Sequence, residues 1–83
     1  MKVLSPEHKR RICKLLYANS ETMLLAKDFN QFQGVRTYTI ALFLKEMVSH
    51  KILQFKETNF GYTYALTELY WTPSTIEDEL GGF

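Results

Sequence analysis

Gly34-Val35-Arg36-Thr37-Tyr38-Thr39-Ile40-Ala41-Leu42-Phe43-Leu44 is the stretch whose reading decides the fold. A glycine at position 34 can take the left-handed backbone conformation that ends one helix, and Val35 after it can fill the gap between two helices. A new helix then begins, with Thr37 predicted as its N-cap because a hydroxyl there accepts from an otherwise unpaired backbone N–H. Ile40, Phe43, Leu44, Met47 and Val48 follow at spacings of three and four and make one apolar stripe, so the helix is predicted over Thr37 to His50. Arg36, Tyr38, Ala41, Leu42, Lys45 and Ser49 fall on the opposite face, the side that can be offered to a partner.

Upstream, Ser5 is the expected N-cap of a first helix, with Pro6 at the first helical position, Glu7 in the first turn and Ile12, Leu15 and Leu16 facing inward. That helix should end near Asn19. Between the two, Leu25, Ala26, Phe29 and Phe32 recur at helical spacing and predict a second helix within Glu21 to Phe32, preceded by a short extended piece around Thr22 and Met23. Downstream the period changes. Ile52 to Lys56 and Tyr62 to Thr67 are rich in β-branched and aromatic residues, and the link Glu57-Thr58-Asn59-Phe60-Gly61 tolerates turn backbones, which predicts a hairpin that covers the open side of the helices. Beyond it, Leu69 to Phe83 is acidic and aromatic, with Ser74 or Thr75 placed to cap one short helical turn and Gly81-Gly82-Phe83 expected to move freely.

Two pieces of this pattern carry a resemblance. Gly34-Val35 followed by Thr39-Ile40 and Phe43-Leu44 is similar in spacing to the turn and recognition helix of many bacterial regulators, and Tyr62-Thr63-Tyr64-Ala65-Leu66-Thr67 resembles a second wing strand that ends in Tyr-x-Leu-Thr. Together they liken the chain to the winged helix-turn-helix DNA-binding superfamily, of the small bacterial or phage and plasmid transcriptional regulator type. The resemblance implies an α+β fold, a three-helix bundle with a helix-turn-helix followed by a two-stranded β-hairpin wing. It implies a winged domain over residues 1–68 and an acidic, aromatic C-terminal tail over 69–83. It also implies sequence-specific binding of double-stranded DNA, with the third helix in the major groove.

Carried over by position, Arg36, Thr37, Tyr38, Ala41, Leu42 and Lys45 face the DNA. Arg36 can pair with guanine or a phosphate, Thr37 and Tyr38 can donate to phosphates, Ala41 or Leu42 can touch a thymine methyl, and Lys45 can hold a phosphate. Lys9 and Arg10 of the first helix and Lys56 of the wing are the further candidates for the DNA backbone. In the competing interpretation Tyr38 and Leu42 pack on a neighbouring surface and Arg36 is solvated. The wing departs from the resemblance at its tip, where Glu57, Thr58, Asn59 and Phe60 stand and only Lys56 nearby is basic.

Composition narrows the classes. The 83 residues, 46% hydrophobic and 14% aromatic, suit one small folded domain. The net charge of +1 hides a polarity: all ten Lys and Arg lie at or before position 56 against four acids, +6, and five acids with no base follow, −5. Such a division fits a basic surface for a polyanion beside an acidic tail, and solvation alone also produces it. One cysteine, Cys13, excludes an intramolecular disulfide and cysteine-pair zinc sites, and His8, Cys13 and His50 assemble no nucleophile, base and orienter, so neither an enzyme nor a metal or other cofactor is expected. The single cysteine and the absence of a secretory apolar run after Lys2 and Val3 lead to the expectation of a soluble cytoplasmic protein with no membrane partner. The alternative function is a winged-helix protein-protein interaction module that uses the C-terminal region. Tyr70 and Trp71 are then the interface, including one for a homodimer.

Overall fold

The fold was obtained as a computed structural model that describes residues 4–83, so Lys2 and Val3 lie outside the described residues. Helix α1 (Pro6–Ala18) starts as its sequence dictates: the Ser5 hydroxyl accepts from the His8 N–H at 3.2 Å, and Pro6 sits where no N–H is needed. Asn19 ends it, its side-chain amide and backbone N–H both donating to the Leu15 carbonyl. Ile12, Cys13 and Leu16 are buried, and Leu15 packs half-buried beside them.

Glu21 to Phe32 is not a second helix. The chain instead forms a two-residue strand, β1 (Leu24–Leu25), and then a single 3-10 turn over Ala26–Phe29. Two side chains divert it. The Asp28 carboxylate accepts from the Leu25 N–H at 2.9 Å and fixes where the turn begins, and the Asn30 amide donates to the Val35 carbonyl at 2.9 Å across the following loop. Phe29 is buried, while Phe32 is held between α1 side chains, 4.3 Å from the His8 ring and 5.0 Å beneath the Arg11 guanidinium.

Gly34 has φ 79°, the left-handed conformation expected of it, and Val35 is buried behind it. Helix α2 (Thr37–Ser49) buries Ile40, Phe43, Leu44 and Met47, with Val48 at the margin of the same stripe. Its N-cap is Arg36, not Thr37. Thr37 is already inside the first turn, and its hydroxyl accepts from the Asn30 amide at 3.2 Å. The helix closes through Lys51, whose φ of 62° lets the Ile52 N–H reach back to the Met47 carbonyl and the Lys51 N–H to that of Val48.

The hairpin is tighter than its sequence indicates. β2 (Leu53–Thr58) and β3 (Gly61–Leu66) pair antiparallel from Leu53 opposite Leu66 to Thr58 opposite Gly61, which leaves a turn of Asn59 and Phe60 alone. The Thr58 hydroxyl donates to the Gly61 carbonyl at 2.7 Å and accepts from the Phe60 N–H at 3.2 Å. β1 pairs with the other edge of β3, Leu24 opposite Tyr64, giving a three-stranded antiparallel sheet in the order β1-β3-β2.

The third helix of this small α+β domain is α3 (Pro73–Glu79), capped by Thr72, whose hydroxyl accepts from the Thr75 N–H. It lies against α1, with Ile76 fully buried in the core and Leu80 and Phe83 packed at its edge. Gly81 at φ 83° ends α3 in a defined way, because the Gly82 N–H bonds the Glu77 carbonyl at 2.8 Å. No helix among the described residues is long and apolar enough to cross a membrane.

Because Ile76 is fully buried, truncating it leaves a cavity against α1. Ile76→Ala is expected to lower unfolding stability by about 2–5 kcal/mol, read from urea denaturation. An unchanged midpoint overturns the placement of α3 in the core.

Candidate nucleic-acid interface

The outer face of α2 follows from its inner one. With Ile40, Phe43, Leu44 and Met47 turned inward, Tyr38, Leu42, Lys45 and Ser49 must turn outward at helical spacing. Tyr38 is 69% and Leu42 47% exposed; Arg36, Thr37 and Lys45 are exposed as well. Ala41 is half-buried, on the flank that looks toward the hairpin. Tyr38, Leu42 and Lys45 therefore share one accessible side, Thr37 and Ala41 lie on its flank toward the hairpin, and Arg36, the N-cap, is exposed at the start of the helix.

The remaining predicted residues do not join them. Lys9 reaches over two rings, its Nζ 5.5 Å from the centre of Phe43 and 5.9 Å from that of Phe83, which themselves meet edge to face. Arg10 turns to α3, where its Nε donates to Glu77 Oε1 at 3.2 Å and its Nη2 to Oε2 at 3.5 Å. A partly exposed pair of this kind stabilises by roughly 0–1 kcal/mol, but it directs the guanidinium to α3. Lys56 alternates with Phe55 along β2, so it stands on the sheet face opposite the one that carries Phe55 and Tyr64. Of the two candidate interface aromatics, Tyr70 is 65% exposed beside the equally exposed Leu69, whereas Trp71 packs on the core with its indole N–H unpartnered among the described residues.

Lys45, Thr37 and Ala41 also line the space between α2 and the hairpin, with Lys27, Phe55 and the other aromatics of the hairpin. Lys45, Val48, Phe55, Tyr62 and Tyr64 border a groove of about 210 Å³. A second, of about 340 Å³, is bordered by Lys27, Thr37, Ala41, Phe60, Tyr62 and Tyr64 among others. Phe55 and Tyr62 meet edge to face at 5.5 Å and remain half exposed, and Phe60 at the turn is 85% exposed. The signal in the sequence was the alternation in the hairpin. Once paired, Phe55, Tyr62 and Tyr64 share one face.

Chemistry at the other reactive groups is muted. Burial, and secondarily the Glu77 carboxylate, push the Cys13 thiol up from 9.0 to about 12. Burial, and then the neighbouring Tyr62, raise the Tyr64 phenol above its ordinary value. His50 caps α2 and contacts Glu79 of α3 at 3.2 Å, far from Cys13 in role, and thus serves the helix end.

The chain matches no protein-family model, no curated protein and no solved structure.

The Cys13 shift has a defined consequence. Above pH 9 the unfolded chain gives up the thiol proton while the folded chain keeps it, so this group's stabilisation is complete below pH 9 and lost as pH rises toward about 12. Urea midpoints taken from pH 8 to pH 11 should fall more steeply for the native chain than for Cys13→Ala, and equal slopes would count against a protonated, buried thiol.

Proposed function

We propose that the chain is a winged-helix protein that binds double-stranded DNA through the outer face of α2 and acts as a small transcriptional regulator. The order of elements supports this reading: a left-handed turn at Gly34, an amphipathic helix, and a hairpin that leaves the helix end at once. The observation that carries it is the composition of the outer face, where Tyr38, Leu42 and Lys45, with Arg36 exposed at the N-cap, combine cations, a phenol and an apolar contact while the opposite side is fully engaged. Arg36 and Lys45 are about 13 Å apart along the helix axis, close to the ~12 Å width of the major groove, so both ends of the helix can reach its phosphate walls. Leu42 lies between them, placed for a thymine methyl.

The geometry limits how electrostatic that binding is. Arg10 is held by Glu77 and Lys9 sits over two phenyl rings, so few cations remain to displace counterions. The logarithm of the duplex binding constant is expected to fall with the logarithm of salt concentration with a slope of about −2 to −3, steepness set by the number of phosphates met. Lys45→Glu should make that slope shallower by about one and weaken binding for every sequence, whereas Arg10→Ala should leave it unchanged. Absence of duplex binding at low ionic strength overturns the reading.

Leu69 at 69% and Tyr70 at 65% exposure favour a second reading, a protein interface on the connection between β3 and α3 used for self-association. Deleting residues 69–83 is a poor test, because Ile76 within them belongs to the core. Light scattering after size exclusion should instead show a mass that rises with concentration for the native chain and stays monomeric for Leu69→Ser with Tyr70→Ser. A monomer throughout dismisses this interface.

A further inference from the structure

Two linked grooves separate α2 from the hairpin, and Tyr62 and Tyr64 line both, forming the ridge between them. Each groove has a flat aromatic wall and one cation. The first has Phe55 with Lys45, and the second has Phe60 with Lys27. Lys27 and Lys45 are the charged side chains that line these grooves among the described residues, and no carboxylate lines either. Glu57 shares the Phe55 face but stands farther along the outer strand toward the turn.

The arrangement repeats an aromatic face and a positive charge twice, side by side. A phosphate wall of duplex DNA can meet Lys45 at the rim, but the groove walls are mainly ring and methyl surface. A strand with unstacked bases finds both halves of what it needs, a π-face for each base and a cation for each phosphate. Phe60 is presented firmly for this purpose, because Thr58 holds the two-residue turn from both sides. Its 85% exposure is of no use to the core.

We propose that the cleft between α2 and the hairpin is a stacking site for two successive unpaired nucleotides, with bases against Phe55, Tyr62 and Phe60 and phosphates at Lys45 and Lys27. This goes beyond duplex binding by the α2 outer face. Arg36 and Tyr38 line neither groove, so the two activities can fail separately.

The test uses the full chain, fluorescence anisotropy and three labelled probes: a twelve-nucleotide oligothymidylate, an abasic strand of the same length, and a duplex. The oligothymidylate should bind more tightly than the abasic strand. Phe60→Ala, which touches an exposed ring only, and Tyr62→Leu, which keeps an apolar side chain, should each weaken oligothymidylate binding by roughly five- to a hundredfold. Arg36→Glu should weaken duplex binding and leave the oligothymidylate unchanged. Equal affinity for the abasic strand, failure to bind oligothymidylate, or unaltered binding by both Phe60→Ala and Tyr62→Leu each overturns the stacking site, whatever the duplex does.

Discussion

The left-handed turn at Lys51 governs how the hairpin meets α2. A residue with a Cβ is disfavoured there by about 1–2 kcal/mol, yet the turn satisfies the last carbonyls of α2 and delivers Ile52 into the core. The far end of the hairpin returns to the same point: the Thr67 N–H bonds the Ile52 carbonyl at 2.9 Å, and its hydroxyl bonds that of Lys51 at 2.8 Å. Both ends of the hairpin are thus fastened to one helix terminus. That fastening holds the aromatic face of the sheet beside α2 and creates the cleft between them.

Charge behaves differently in space than along the chain. Read linearly, bases precede acids, which suggests a basic body and a solvated acidic tail. In the fold the acidic helix turns back, and Glu77 meets Arg10 while Glu79 meets His50. Part of the basic potential of α1 is thereby spent inside the molecule. The cations on the α2 and hairpin side, Lys27, Arg36, Lys45, Lys51 and Lys56, are exposed and do not gather on one face, Lys56 standing on the sheet face away from Phe55.

Legibility in the sequence tracked how local the determining interactions are. α1 and α2 could be read because the Ser5 cap, their apolar stripes and the Gly34 turn act over three or four residues, although the cap of α2 is Arg36 and not Thr37. Glu21 to Phe32 could not, since its helical spacing competes with the pairing of Leu24 to Tyr64 and with two side-chain bonds to the backbone, from Asp28 and Asn30. Nothing near Leu24 announces a strand partner forty positions away. In the same way Ser74 and Thr75, expected to cap the last helix, lie inside it behind Thr72, and only α1 explains why Ile76 is buried. The exposed face of α2 could be read from its period, whereas the cleft beside it could not, because the cleft exists only once the hairpin has its register.

The pairing of α1 with α3 has an entropic side. Arg10 and Glu77 are 67 positions apart, and the face of α1 that holds Ile12 and Cys13 is closed by residues near the other end of the chain. Bringing such distant segments together costs more loop entropy than the local contacts of α2 and its hairpin, so the α1–α3 contact has the larger closure cost to offset. The helix, turn and hairpin from Gly34 to Thr67 are joined by neighbours in the chain, while the apolar stripe of α1 is covered only when the two ends of the molecule meet.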